Sequence, residues 1–197
     1  MLWNVSLADA GLDVFHVKSF KNFERDHPEK AAILIDKLSS IVKAYVSPIG
    51  AFGDLQAYRK VRDSKGWQAY RGLDFATQWC FERLASRVMD HDRVNVIFAK
   101  TPKYNGRVVE IFEAVQEQHP YGYRLLDIVP NKVPSTEKRL QLADFVISGF
   151  MRGWNHRHST GEWHDDFLFH LYQTSLNAGD WKYFSGVDLK NYTPIVD

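Results

Sequence analysis

The chain has 197 residues, of which 45% are hydrophobic and 25% charged, and its formal net charge is +1. Such a composition excludes a disordered chain and a strongly basic nucleic-acid binder, leaving basic groups only as local patches, and it suits one core-forming domain with an appended helical region. The single cysteine, Cys80, excludes an intramolecular disulfide, and no apolar run approaches the roughly 20 residues that a membrane span requires.

In chain order, Leu2 and Trp3 lead through Leu7 to Gly11, and Val14-Phe15-His16 completes a short helix with its exit loop. Pro28 precedes a helix over 29–42, where Ala31, Leu34, Leu38, Ile41 and Val42 recur at helical spacing and Glu29 suits the first turn. The stretch 44–58 is rich in Val, Ile, Phe and Tyr but broken by Pro48, Gly50 and Gly53, which predicts a strand with an irregular middle. The longest helical pattern covers 67–89, with Tyr70, Leu73, Thr77, Cys80, Leu84 and Val88 along one face. Within it, Cys80 lies among Trp79, Phe81 and Leu84 and reads as a small buried hydrophobe rather than a nucleophile.

Two apolar runs, 93–99 and 123–129, predict strands buried on both faces, with a helix over 107–118 between them. After a loop at 130–137 comes an apolar helix opened by Leu140-Gln141-Leu142-Ala143-Asp144 and running to Trp154. A short helix over 163–172 and an irregular tail follow. Alternating strands and helices predict an α/β fold with a largely parallel central sheet, because parallel neighbours need a helical crossover.

Several chemistries lose their signatures. The chain has no glycine-rich phosphate loop ending in Lys-Ser/Thr, no Gly-x-Gly-x-x-Gly, no Cys-x-x-Cys, no His-Glu-x-x-His and no hydrolase nucleophile elbow. His156, His158, His164 and His170, with Asp165 and Asp166, form the most metal-like composition, but their spacing is closer to a solvated loop than to a zinc site. The run Tyr58, Arg59, Lys60, Arg62, Lys65, Trp67 either touches a phosphate backbone or is a solvated connection. On the Leu140 helix, Gln141, Asp144, Ser148 and Arg152 form one polar stripe, which either faces water or belongs to a site. Asn4-Val5-Ser6 and Asn191-Tyr192-Thr193 fit a glycosylation pattern but mean little without a secretory leader; the chain reads as cytoplasmic.

The order of pieces resembles a widespread bacterial and phage domain family of unknown function with a ribonuclease-H-like fold, akin to the retroviral integrase core. The resemblance rests on Trp3 before a short helix, the Phe15-His16 pair, the long helix from Trp67, the strand Val94-Asn95-Val96-Ile97-Phe98, the strand ending near Asp127, and Leu140-Gln141-Leu142-Ala143-Asp144. It covers roughly 3–155 and implies a ribonuclease-H-like core over 1–155, a mixed sheet flanked by helices, with 156–197 as a C-terminal helical extension. Family members begin with a strand carrying Asp-Glu-Ser-Gly and a second strand, and this sequence starts after both. They also place an acid at the end of the strand matching 94–98, where Ala99 and Lys100 stand here.

The resemblance implies a divalent-metal nuclease using Mg or Mn, in which Asp144 is the one remaining metal-binding acid and His16 a second remnant of the site. Two-metal hydrolysis needs carboxylates from several elements, so little cleavage is expected, with Glu110 or Glu113 as replacement acids. Lys100 is expected to pair with Asp144 in place of metal. Nucleic acid is the implied partner, and a second copy of the chain is expected to complete the sheet. An interaction module built on Trp154, Trp163, Phe167, Trp181 and Tyr183 is the alternative from a different class, and a His-cluster metal protein is a third.

Overall fold

The computed structural model describes residues 2–99, 104–131, 138–160 and 180–196. They form a mixed α/β chain in two compact units, each assembled from separated segments. One comprises 1–48 with 133–180, the other 49–132 with 181–197. This partition differs from a boundary at 155, because the last residues of the chain build into the second unit.

In the first unit, α1 (Leu2–Asp9), α2 (Val17–Asp26), α3 (Pro28–Tyr45) and α7 (Lys138–Thr160) are the described elements. Proline at the start of α3 costs no hydrogen bond, and Glu29 and Lys43 complement the helix dipole at its two ends. Its buried face, Ala31, Leu34, Ile35, Leu38 and Val42, follows the helical period, as the sequence predicts. α2 lies where no helix was predicted. Val17, Phe20 and Phe23 recur every three residues among polar and charged ones, with Phe20 buried and Phe23 half-buried, so the helical pattern was present in the sequence but spans only ten residues.

In the second unit, β1 (Ile49–Gly53) and α4 (Leu55–Lys65) replace the single irregular strand predicted over 44–58. The switch sits at Asp54, whose carboxylate accepts the backbone N–H groups of Gln56 at 2.7 Å and Ala57 at 3.3 Å and so starts a helix. Gly66, at φ 72°, closes it in the left-handed conformation that other residues disfavour. α5 (Gly72–Arg87) then begins five residues later than the predicted 67, where the Asp74 side chain accepts the Arg71 N–H at 2.9 Å.

β2 (Val94–Ala99), α6 (Asn105–Gln118), a 3-10 turn (Gly122–Arg124) and β3 (Leu125–Asn131) complete a parallel crossover unit. Its core is Phe81, Ala85, Val108, Ile111, Phe112, Val115 and Leu125. The two strands are not covered on both faces, in contrast to the sequence reading: Val94, Val96, Ile97 and Phe98 are half-buried, and Leu126 and Asp127 are exposed. Nor does the first strand join them. Among the described residues β2 pairs with β3 only, while β1 pairs with β4 (Asp180–Phe184) in a separate sheet. The tail predicted to be irregular holds β4 and α8 (Gly186–Asn191), which Ser185 and Asp188 cap reciprocally.

No helix among the described residues is long and apolar enough to cross a membrane. The predicted helix at 163–172 lies outside the described residues.

Candidate functional site

The motif-bearing segments of the first unit meet at Gln141. Its carboxamide oxygen accepts the indole N–H of Trp3 at 3.4 Å and the backbone N–H of Phe15 at 3.0 Å, across 138 and 126 residues of sequence. Gln141 is itself buried, at 3% exposure. Around this bond pack the rings of Trp3, Phe15 and Phe145, with centroids 5.2 to 6.2 Å apart in edge-to-face contacts. Trp3, the Phe15-His16 pair and the Leu140–Asp144 segment are therefore drawn to one point, although nothing in their local sequence requires it.

One helical turn beyond Gln141, Asp144 is half-buried. The polar stripe to which it belongs is a seam and not a solvent face: Gln141 is committed inward, and half-buried Arg152 pairs with Glu24 of α2 at 3.3 Å. The exposed face of α7 carries Ala143, Ile147 and Met151 instead. His16 is exposed, and its carbonyl accepts the Phe20 N–H at 2.8 Å at the start of α2.

Lys100 lies outside the described residues, and with it the expected pairing to Asp144. The same holds for the side chains of His156 and His158, and for Trp163, His164, Phe167 and His170. Glu110, a candidate replacement acid, is held by Arg107 at 2.9 Å, and Glu113 is exposed. Among the described residues no group of three or more His, Cys, Asp or Glu side chains is arranged to hold a metal ion. Cys80, expected as a buried hydrophobe, is half-buried. Burial pushes its thiol up to about 12, opposed by a backbone contact to Ala51, so the thiolate nucleophile is suppressed.

The second unit holds a buried polar cluster that sequence reading did not find. Asp74 is fully buried, and it accepts from the Tyr104 hydroxyl at 2.6 Å, Arg107 Nε at 3.2 Å and the Arg71 N–H. Burial first, and then the bond to Asp74, raises the Tyr104 phenol above its ordinary range, so it stays a neutral donor. Arg107 also lies 5.3 Å over the ring of Tyr70. The only local signal is an acid three residues after Arg71 at a helix start. Its true partners lie 30 and 33 positions away.

A second network fastens the chain's last residues. The Gln78 carboxamide donates to Glu82 at 2.7 Å and to the Thr193 carbonyl at 3.2 Å, and accepts the Ile195 N–H at 3.2 Å. The Tyr192 hydroxyl donates to Glu82 at 2.7 Å. Nearby, an apolar cavity of about 170 Å³ is floored by Tyr58, Phe75, Phe184 and Leu189 and rimmed by Leu55 and Leu73, both more than half exposed. The basic and aromatic run from Tyr58 to Trp67 is largely α4. Tyr58 and Val61 face the core, the Tyr58 hydroxyl donates to the Tyr70 carbonyl, and Lys65 lies 5.9 Å over Trp67.

Comparisons with family models, with curated proteins and with solved structures find no match to this chain.

Proposed function

We propose that this chain is a nuclease-like domain of ribonuclease-H-like type, directed at nucleic acid, that has lost most of its cleavage chemistry. The observation that carries this reading is the convergence of Trp3, Phe15 and Gln141 one helical turn from Asp144. The family resemblance rests on those same segments, and the fold spends long-range hydrogen bonds to hold them together beside a half-buried carboxylate. The parallel β2–α6–β3 crossover supports it separately.

The donors do not fit a two-ion centre. Among the described residues, one carboxylate and an exposed imidazole fall short of the several carboxylates such chemistry requires, so no hydrolytic step is assigned to them. A single hydrated Mg or Mn ion held mainly by Asp144, with waters filling its remaining positions, is the weak binding we propose. A cytoplasmic location belongs to the same proposal.

The test is retention of labelled single-stranded and duplex oligonucleotides at low salt, followed by their incubation with manganese. Binding without cleavage above an Asp144→Asn control supports the reading. Failure to bind any nucleic acid overturns it, and rapid Asp144-dependent cleavage overturns the loss of chemistry.

A second reading, a protein-interaction module, is favoured by the apolar cavity with Leu55 and Leu73 on its rim, because exposed leucines beside a preformed apolar recess suit a partner's side chain.

A further inference from the structure

We infer that the cavity beside β1 and the starts of α4 and α5 is a cage for a quaternary ammonium group, the trimethylammonium head of a choline-like molecule or of a methylated lysine. This does not rest on the nuclease reading. It gives the cavity of the second reading a ligand class, and residues of the second unit alone build it.

The walls are aromatic. Phe52 comes from β1, Tyr58 from α4, Phe75 from α5 and Phe184 from β4. Aromatic faces carry negative partial charge and attract cations, most strongly where water is excluded. One of these rings already does so: Lys182 Nζ lies 5.7 Å over Phe184. Lys182 does not line the cavity, and Asp188 pairs with it at 2.6 Å.

The charge at the mouth has the sign that a cation needs. Asp54 is the one charged side chain among the described lining residues, which include no Lys, Arg or His. Its Oδ1 accepts the N–H groups of Gln56 at 2.7 Å and Ala57 at 3.3 Å, and among the described residues its Oδ2 has no hydrogen-bond partner. An anionic ligand would meet a carboxylate there and no cation. A quaternary ammonium also has no N–H to satisfy, which suits a floor of Tyr58, Phe75, Phe184 and Leu189. A primary ammonium would bring three donors onto that floor.

Size agrees with the chemistry. The cavity holds about 170 Å³. An apolar cavity of about 150 Å³ admits benzene, and a trimethylammonium group has a bulk similar to that ring. Glycine at position 72 leaves room beside Tyr58, where an added Cβ would lie 3.4 Å from the ring. Leu55 and Leu73, exposed on the rim, would meet the chain that carries the head group.

The experiment is titration of the full chain with tetramethylammonium, choline and a peptide containing trimethyl-lysine, followed by NMR shifts. The control ligand is the uncharged tert-butyl analogue of choline, in which carbon replaces the nitrogen. Choline is expected to bind at least about tenfold more tightly than this analogue, with shifts centred on Phe52, Tyr58 and Phe75. Asp54→Asn keeps the start of α4, because Asn caps a helix as well as Asp does, and is expected to weaken choline by at least about threefold at an unchanged melting temperature. Should that variant fail to fold, the comparison of choline with its analogue on the wild type decides alone. Tighter binding of the peptide places the group on a modified partner, tighter binding of choline on a free small molecule, and either supports the inference. Equal binding of choline and its analogue overturns it and leaves the plain apolar recess of the second reading. A folded Asp54→Asn that holds choline as tightly as the wild type also overturns it, and failure of every compound to bind overturns both uses of the cavity.

Discussion

The indole of Trp3 and the carboxamide of Gln141 are joined by a buried hydrogen bond of 3.4 Å, and the same Gln141 oxygen also holds the Phe15 N–H. One acceptor therefore satisfies two buried donors from separate segments. Gln141→Ala strands both, at a cost of about 2–4 kcal/mol. Urea unfolding of the variant checks this, and a change below about 0.5 kcal/mol, the size of an ordinary surface effect, contradicts the assignment of Gln141 as the joint.

Asp74 and Arg107 make the corresponding test in the second unit. With the carboxylate fully buried and the guanidinium side chain 16% exposed, Asp74→Ala takes the buried acceptor from the Tyr104 hydroxyl and from Arg107 Nε, leaving Arg107 with the exposed Glu110. Loss of one partner of a buried pair costs about 3–5 kcal/mol. Arg107→Lys keeps the charge but not the guanidinium's geometry and is expected to cost less than Asp74→Ala, measured by the same unfolding experiment.

Stability in acid carries a signature of Asp188. Bonds from Lys182 and then Ser185 lower its carboxyl to about 2, from an ordinary value near 3.9. A depressed folded value means the contribution is complete above about pH 4 and is lost as pH falls towards about 2. Thermal melts of wild type and Asp188→Asn should differ at neutral pH and converge on acidification. A gap that stays constant to the acid limit contradicts the assignment.

Gly50 lies beneath the Trp181 ring, where an added Cβ would meet Cζ3 at 2.1 Å. Gly50→Ala must displace that ring from β1, costing about 1–3 kcal/mol. Tryptophan fluorescence read alongside denaturation reports both effects, and an unchanged spectrum with unchanged stability contradicts the close packing.

The thiol of Cys80, raised to about 12 by burial, is expected to resist alkylation at mildly alkaline pH until the protein unfolds. Labelling at the rate of a free cysteine contradicts that environment.

The parts of the fold legible in the sequence are helices whose apolar residues keep helical spacing over a long span and strands that form a continuous apolar run. α3, α6, α7, β2 and β3 are of this kind, as is the crossover that makes β2 and β3 parallel. Asp54 hid a boundary: it turns an apparently continuous strand into β1 and α4 through bonds to two backbone N–H groups, a local competition that hydropathy does not register. Ser185 and Asp188 did the same for α8, inside a segment whose glycines and proline read as loop. The candidate site was half legible. The stripe of Gln141, Asp144, Ser148 and Arg152 follows from helical spacing, but the partners of Gln141 and Arg152 lie more than 120 residues away. For that reason the stripe left a choice between water and a site, whereas the fold uses Gln141 and Arg152 to bind other segments. Asp74 was invisible for a related reason, since its burial depends on Tyr104 and Arg107 from another element.

The measurement that bears most directly on the proposed nuclease-like reading is calorimetric titration of manganese into the purified protein, with Asp144→Asn as the control. A weak isotherm is expected for the wild type, with heat that disappears in a variant of equal stability. Absence of heat from both proteins, or identical heat from both, would contradict the claim that Asp144 is what remains of a metal-dependent nuclease site.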